Sequence, residues 1–460
     1  MSARAPIFSE LRATLALAFP IVVGQVGQML MGITDSVMIG QVGTVPLAAS
    51  AFANSVVGVV FVVGIGLLLP VAVFTARAHG AREPRECAEY LRHGVALAGA
   101  VGAVAVLLLA LAVANLDRFG QPPEVAAEAG PYLLLIAFSL VPAFFFQVFK
   151  QYAEALGHPW APMVILLGCV GLNAFLNWVF IYGHLGAPAW GLAGAGVATL
   201  IARVVACALL VAWLARKPDV RREWPGVAAA DDAPNPAWNA ALGGGRLREM
   251  LHLGVPAAGQ WLFEAGAFTA AAWMMGWLGT VPLAAHQIAL SCAGFTFMFA
   301  LGLSSAASVR LSTAVGAGER ARLRPIGFGA LAAGFTVMAA FGVVFALGGA
   351  LIARGFTPEG EVVALAARLL LVAAFFQVLD GGQVIGAGAL RGLGDVRVPT
   401  AITFVAYWVV SLPAGYLLAF HTRLGAVGVW VGLAAGLGCA ALLLGWRFQR
   451  LTAPADAARV

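Results

Sequence analysis

Residues 48–74 read AASAFANSVVGVVFVVGIGLLLPVAVF. The stretch carries no charge and is continuously apolar rather than alternating. It also exceeds the roughly 20 residues that a helix needs to cross a hydrocarbon core of about 30 Å. In lipid, backbone polar groups must be satisfied within the protein, and a barrel strand would show a polar inner face. Continuous apolarity therefore selects a spanning helix. Working outward from this run, eleven more of the same kind are found: Ala13–Met38, Gly94–Ala114, Pro131–Phe149, Pro162–Ile181, Trp190–Leu214, Met250–Trp277, Leu283–Val309, Pro325–Ile352, Ala364–Leu390, Val398–Phe420 and Leu424–Trp446. The bulk composition agrees. With 61% hydrophobic and 10% charged residues and a mean hydropathy of +0.91, the chain cannot build the polar surface of a soluble domain. The expected fold class is an all-α polytopic membrane protein of twelve transmembrane helices in two six-helix bundles, with the lipid bilayer as its surroundings.

Basic residues orient the spans. With the N-terminus inside, the inner loops carry Arg77, Arg82, Arg85, Arg92, Arg216, Lys217, Arg221, Arg222, Arg246, Arg248, Arg320, Arg322, Arg324, Arg391, Arg397, Arg447 and Arg450, whereas the opposite loops offer Arg118, Arg354, Arg368 and Arg423. The positive-inside rule then places both termini in the cytoplasm and requires an even number of spans. The first run lacks a small-residue cleavage site and reads as a retained span rather than a signal peptide.

The longest polar stretch contains Pro218, Pro225, Pro234, Pro236 and Gly243-Gly244-Gly245, the composition of a linker. It divides the chain into an N-terminal lobe (1–214), a cytoplasmic linker (215–249) and a C-terminal lobe (250–460). Sliding Pro20–Glu83 by 236 positions lays Gly43-Thr44-Val45-Pro46-Leu47-Ala48-Ala49 on Gly279-Thr280-Val281-Pro282-Leu283-Ala284-Ala285, and Gly80-Ala81 on Gly316-Ala317. Phe145-Phe146-Gln147-Val148 echoes Phe375-Phe376-Gln377-Val378 further on. Six spans separate the copies, so both have the same orientation and are related by a pseudo-two-fold axis along the membrane normal, a geometry of carriers.

An ionisable group in mid-span costs about 2.5–3.5 kcal/mol on insertion scales and therefore points to function. Three acids stand inside the runs: Asp35, Glu264 and Asp380. Gln260 precedes Glu264 by one helical turn and can hydrogen-bond to it. Gln377 and Gln383 flank Asp380. Asn173 and Asn177 share a face of the fifth span, and Thr199 adds a hydroxyl from the sixth. Polar groups of this kind also serve as interhelical glue, but no Lys or Arg in the spans of the second half neutralises Glu264 or Asp380. Na⁺, H⁺ or an organic cation would each satisfy the same charge, and mutual exclusion at such a site produces antiport. The aromatic and thioether groups Phe144-Phe145-Phe146, Phe295, Phe297, Phe299, Phe375-Phe376, Met274, Met275 and Met298 are candidates for lining a cleft for flat lipophilic cations. Gly428, Gly432 and Gly436 form a GxxxGxxxG run that reads as close helix packing. Five scattered cysteines without CxxC spacing argue against disulfides and a chelated metal. There is no Walker A, HExxH or GxSxG motif, so ATP drive and these enzyme classes are unsupported, and no resident cofactor is expected.

Several stretches resemble the multidrug and toxic compound extrusion family, in particular its NorM-like bacterial branch. They are Thr34-Asp35-Ser36-Val37-Met38-Ile39-Gly40, Pro256 with Glu264, Ala284-Ala285-His286-Gln287-Ile288-Ala289-Leu290, Leu176-Asn177-Trp178-Val179-Phe180-Ile181-Tyr182-Gly183, and Gly388-Ala389-Leu390-Arg391-Gly392-Leu393-Gly394-Asp395. The resemblance implies two six-helix lobes in a V-shaped arrangement. It also implies export of organic, often polyaromatic cations in exchange for Na⁺ or H⁺, at the bacterial inner membrane and by a monomer without nucleic-acid partners. It matches Glu264 and Asp380 to the acidic pair of the C-terminal lobe, which would hold Na⁺ if coupling is to sodium, and Asp35 with Asn173 to the polar groups of the N-terminal lobe. Many relatives have Asp where this chain has Asn177, which favours the C-terminal acids for coupling. The alternative is a flippase for lipid-linked precursors, which such relatives typically serve with extra terminal spans and basic cleft residues.

Overall fold

The computed structural model describes residues 4–221 and 244–453, and all regular structure among them is helical. Twelve long helices follow in order: α1 (Arg4–Gly40), α2 (Thr44–Gly80), α3 (Pro84–Val113), α4 (Pro123–Ala155), α5 (Trp160–Tyr182), α6 (Gly191–Arg216), α7 (Gly244–Leu278), α8 (Thr280–Gly316), α9 (Arg320–Arg354), α10 (Gly360–Gly392), α11 (Arg397–Phe420) and α12 (Ala426–Leu451). Eleven of them are long and apolar enough to cross a membrane. The remaining one, α7, has 35 residues, and its apolarity is diluted by His252, Gln260 and Glu264. Of the linker expected over 215–249, residues 222–243 lie outside the described residues.

The outer surface identifies the solvent. Leu347, Leu442 and Leu351 are 85%, 76% and 77% exposed, and many further Leu, Val, Phe and Trp side chains accompany them. Apolar surface on this scale would associate in water but is at rest in hydrocarbon. The protein is a multi-pass membrane protein.

Helix ends repeat with the sequence. α2 and α8 start on Thr44 and Thr280 and end on Gly80 and Gly316, each pair 236 positions apart. The turn after each helix is closed by the same bonds: Arg82 N–H to His79 O at 3.0 Å and Glu83 N–H to Ala78 O at 3.0 Å, against Gly318 N–H to Val315 O at 3.1 Å and Glu319 N–H to Ala314 O at 2.9 Å. This helix-ending motif requires a left-handed residue. Gly318 adopts it at φ 70° without a side chain, and Arg82 adopts it at φ 60° with one.

Packing divides the chain into two compact units, Val23–Ala258 and Met1–Val22 with Gly259–Val460. The cuts fall within α1 and α7, again 236 positions apart. In the second unit α10 packs against α8, α9 and α12, and its residues 380–392 are buried without exception. In the first, α4 packs against α2, α3 and α6, and residues 148–155 are buried throughout. The glycine run of α12 meets α11 backbone to backbone: a Cβ on Gly432 would stand 2.3 Å from the Gly415 Cα, and one on Gly428 2.6 Å from the Leu418 carbonyl carbon. Close helix packing is thus what these glycines provide.

The N-terminal ends of α1 and α7 are pinned by ion pairs. Glu10 meets Arg310 of α8 and Arg322 of α9, the latter at 2.6 Å. Arg246 meets Glu86 at 3.0 Å and Glu89 at 2.6 Å, both on α3. Glu10 and Arg246 are equivalent in the repeat, as are Glu86 and Arg322, with the charges reversed.

Candidate functional site

The acids fall into two polar clusters, one in each unit. In the unit Val23–Ala258, Asp35 projects from α1 and accepts a hydrogen bond from Asn177 Nδ2 of α5 at 2.5 Å. Asn177 also donates to Asn173 Oδ1 at 3.3 Å, and Asn173 donates to Thr199 Oγ1 of α6 at 3.4 Å. The Thr199 hydroxyl also bonds to Asp35. The i, i+4 spacing of the two asparagines and the facing hydroxyl thus join three helices around one carboxyl. Asn173 and Asn177 are fully buried, and Asp35 is partly exposed. Arg203 of α6 acts on Asp35 and on Tyr132 through its charge. Its own hydrogen bond goes to Ser139 Oγ at 2.7 Å, and its guanidinium lies 6.0 Å from the Phe61 ring centre. It therefore points inward and does not snorkel toward a membrane border.

The second cluster lies in the other unit. Glu264 of α7 is partly exposed, whereas Asp380 of α10 is 3% exposed. Glu264 acts on Asp380 electrostatically, and neither takes part in a salt bridge among the described residues. Gln383 of α10 and Tyr407 of α11 face the Glu264 carboxyl. Gln377 donates from Nε2 to Thr296 Oγ1 of α8. Two amide oxygens of this neighbourhood remain buried without a hydrogen-bond partner: Gln377 Oε1 and Gln383 Oε1. Leaving such groups unpaired is costly, so their concentration around two acids marks a place that receives something. Carboxylate, amide and hydroxyl oxygens form the donor set of a hard cation. No group of three or more His, Cys, Asp and Glu capable of holding a metal occurs among the described residues, so the cluster is unlike a transition-metal centre.

Two expectations change. Gln260 is partly exposed and leaves Glu264 to Gln383 and Tyr407 instead of bonding to it. The aromatic and methionine group splits. Phe144, Phe146, Phe376, Met274 and Met275 are buried at 6% exposure or less, and Phe375 is 73% exposed. The buried ones fill helix contacts, as when Phe144 lies over Gly64, and do not line an open surface.

Tyr407 is the functional candidate that the residue pattern does not reveal, since a tyrosine in an apolar run reads as ordinary packing. Its position comes from the π-helical segment Val405–Ser411, closed by Leu412 N–H on Tyr407 O. Pro413 follows; it supplies no N–H and its ring crowds the preceding turn, which favours the wider turn ahead of it. Single π turns within α-helices are often found at functional sites. Phe268 packs on the Tyr407 ring, with centres 6.1 Å apart.

Two sets of spans related by the 236-residue repeat, each holding carboxyl and amide groups at mid-helix, have the build of a membrane carrier made from a duplicated bundle. Comparison with known proteins agrees: the MatE family profile matches residues 20–179 and 256–417. A "Probable multidrug resistance protein NorM" of Rhodopseudomonas palustris is 39% identical, covering 98% of this chain and 94% of its own, and one of Mesorhizobium japonicum is 36% identical, covering 96% and 94%. The chain belongs to the MatE family, the multidrug and toxic compound extrusion transporters. Among solved structures, an outward-facing multidrug resistance MATE family transporter superimposes with a TM-score of 0.87 at 21% identity over 98% of this chain and 97% of that one. The eukaryotic MATE transporter AtDTX14 does so with 0.85 at 19% identity over 98% and 99%.

Proposed function

We propose that the protein is a secondary active multidrug antiporter that exports organic, often polyaromatic cations in exchange for Na⁺ or H⁺ by alternating access. It works in the bacterial inner membrane with both termini in the cytoplasm. The observation that carries this reading is the pair Glu264 and Asp380, the first acting electrostatically on the second and neither in a salt bridge among the described residues, beside the buried and unpaired Gln377 Oε1 and Gln383 Oε1.

In this reading Asp380 and Glu264 hold the coupling cation, and Gln377, Gln383 and Tyr407 orient the acids and complete the shell. A Na⁺ ion there would remove the repulsion and satisfy the oxygens in one event, and protonation would remove the repulsion. A cationic drug competes for the same charge, so loading one ligand releases the other. A one-for-one exchange of a monovalent coupling ion for a monovalent drug moves no net charge, so the drive is the concentration gradient of the coupling ion, about 1.4 kcal/mol for each tenfold ratio. Asp35, Asn173, Asn177 and Thr199 form a second polar centre, whose single acid is already hydrogen-bonded, and serve substrate binding rather than coupling.

The test is ethidium efflux from proteoliposomes under a Na⁺ gradient or a pH gradient, applied separately. Wild type is expected to respond to one of them, and Glu264→Gln and Asp380→Asn to lose the response. Dye that moves under neither gradient with active wild-type protein would overturn the antiport reading.

A further inference from the structure

A groove of about 470 Å³ opens on the unit Val23–Ala258, where α4 ends, α5 begins and α6 ends. Its floor and walls are Trp160, Ala161, Val164 and Ile165 from α5 with Trp213 from α6, and His158 and Lys217 stand at its rim. The arrangement is built by two helix ends. α4 closes with Gly157 N–H on Glu154 O at 3.1 Å and His158 N–H on Ala153 O at 2.8 Å, with Gly157 left-handed at φ 80°. This turn delivers the His158 ring against Trp213, with centres 5.8 Å apart and planes at 74°. α6 ends where Lys217 turns extended at φ −74°, ψ 115°. Trp160 and Val164, one turn apart on α5, are 54% and 59% exposed.

The groove therefore has an apolar trough with a cationic end, flanked by two indoles. Tryptophan at a helix end marks the border between hydrocarbon and headgroups. Arg77, Arg82, Arg85 and Arg216 lie at the same border, because each follows or precedes an even-numbered crossing. An exported organic cation is repelled by Lys217, whereas a phosphate is attracted, and basic pockets between spans at this level suit anionic headgroups. We propose that this groove is a binding site for a phospholipid with an anionic headgroup, the phosphate on Lys217 and His158 and one acyl chain along Ala161, Val164 and Ile165. The volume falls within the usual range of small-molecule sites.

Native mass spectrometry of purified full-length protein, delipidated and then titrated with phosphatidylglycerol or phosphatidylcholine, tests the site. Wild type is expected to retain one phosphatidylglycerol in preference to phosphatidylcholine. Lys217→Gln should weaken that retention about fivefold, the effect of one basic side chain at a membrane surface, and Arg85→Gln should leave it unchanged. Val164→Trp, which fills the trough and keeps the charge, should reduce retention of both lipids. Equal retention of the two lipids by wild type would mean annular lipid only and overturn the proposal. So would a loss as large in Arg85→Gln as in Lys217→Gln, or full retention by both Lys217→Gln and Val164→Trp. None of these readouts depends on transport.

Discussion

Asn177 and Asp35 are bound by a 2.5 Å hydrogen bond from amide to carboxyl, across 142 residues of chain. The bond ties α5 to α1 in mid-span. Hydrogen bonds to charged groups contribute about 1.5–3 kcal/mol. Asn177→Ala should lower the thermal midpoint in detergent, and a double-mutant cycle with Asp35→Asn should show coupling of similar size. A cycle that sums to zero would mean that the pair adds no stability.

Tyr407 is a buried hydroxyl that faces the Glu264 carboxyl. If it belongs to the cation shell, Tyr407→Phe should need several-fold more coupling cation for half-maximal efflux. Unchanged cation dependence would confine Tyr407 to packing.

The ion pairs that hold α1 and α7 differ in burial, and burial decides their value. The Glu10 and Arg310 side chains are each 12% exposed, whereas Arg246 and Glu86 are 28% and 39% exposed. Removing one partner of a buried pair costs about 3–5 kcal/mol, and solvent screening limits an exposed pair to roughly 0–1 kcal/mol. Glu10→Gln should thus destabilise clearly more than Glu86→Gln in thermal melts. Similar losses for the two would show that burial does not set the difference.

Gly432 allows α11 and α12 to touch. With a Cβ position 2.3 Å from the Gly415 Cα, Gly432→Val must push the helices apart. Overpacking of this kind costs about 1–3 kcal/mol or more. Gly445 of the same helix has open space around its Cβ position, so Gly445→Ala should be tolerated. The comparison is made by folded yield and melting temperature.

Much of this was legible in the sequence because lipid imposes simple rules. Residues 48–74 had to be a helix, and an acid at position 264 or 380 stood out because its surroundings are apolar. The 236-residue repeat was visible in the letters and reappears in the bond pattern around Arg82 and Gly318. What stayed hidden depends on direction rather than residue type. Tyr407 faces Glu264 because a π turn rotates it there, and Glu264 takes Gln383 and Tyr407 as neighbours rather than Gln260, although one helical turn separates the last from it. The exclusion of Phe144 and Phe376 from any open surface is likewise a property of neighbouring helices, which hydropathy does not record.

The division of packing within α1 and α7 has a consequence for how the molecule is made. The ribosome releases residues 1–22 first, yet the unit to which they belong is otherwise formed by residues 259–460. Glu10 thus emerges hundreds of residues ahead of Arg310 and Arg322 and must wait for them. The unit Val23–Ala258 lacks its own last part until residues 244–258 follow the linker. Severing the chain within the linker would leave two fragments, one holding the opening segment and the other the closing segment of its counterpart's fold, and neither would be complete without the other.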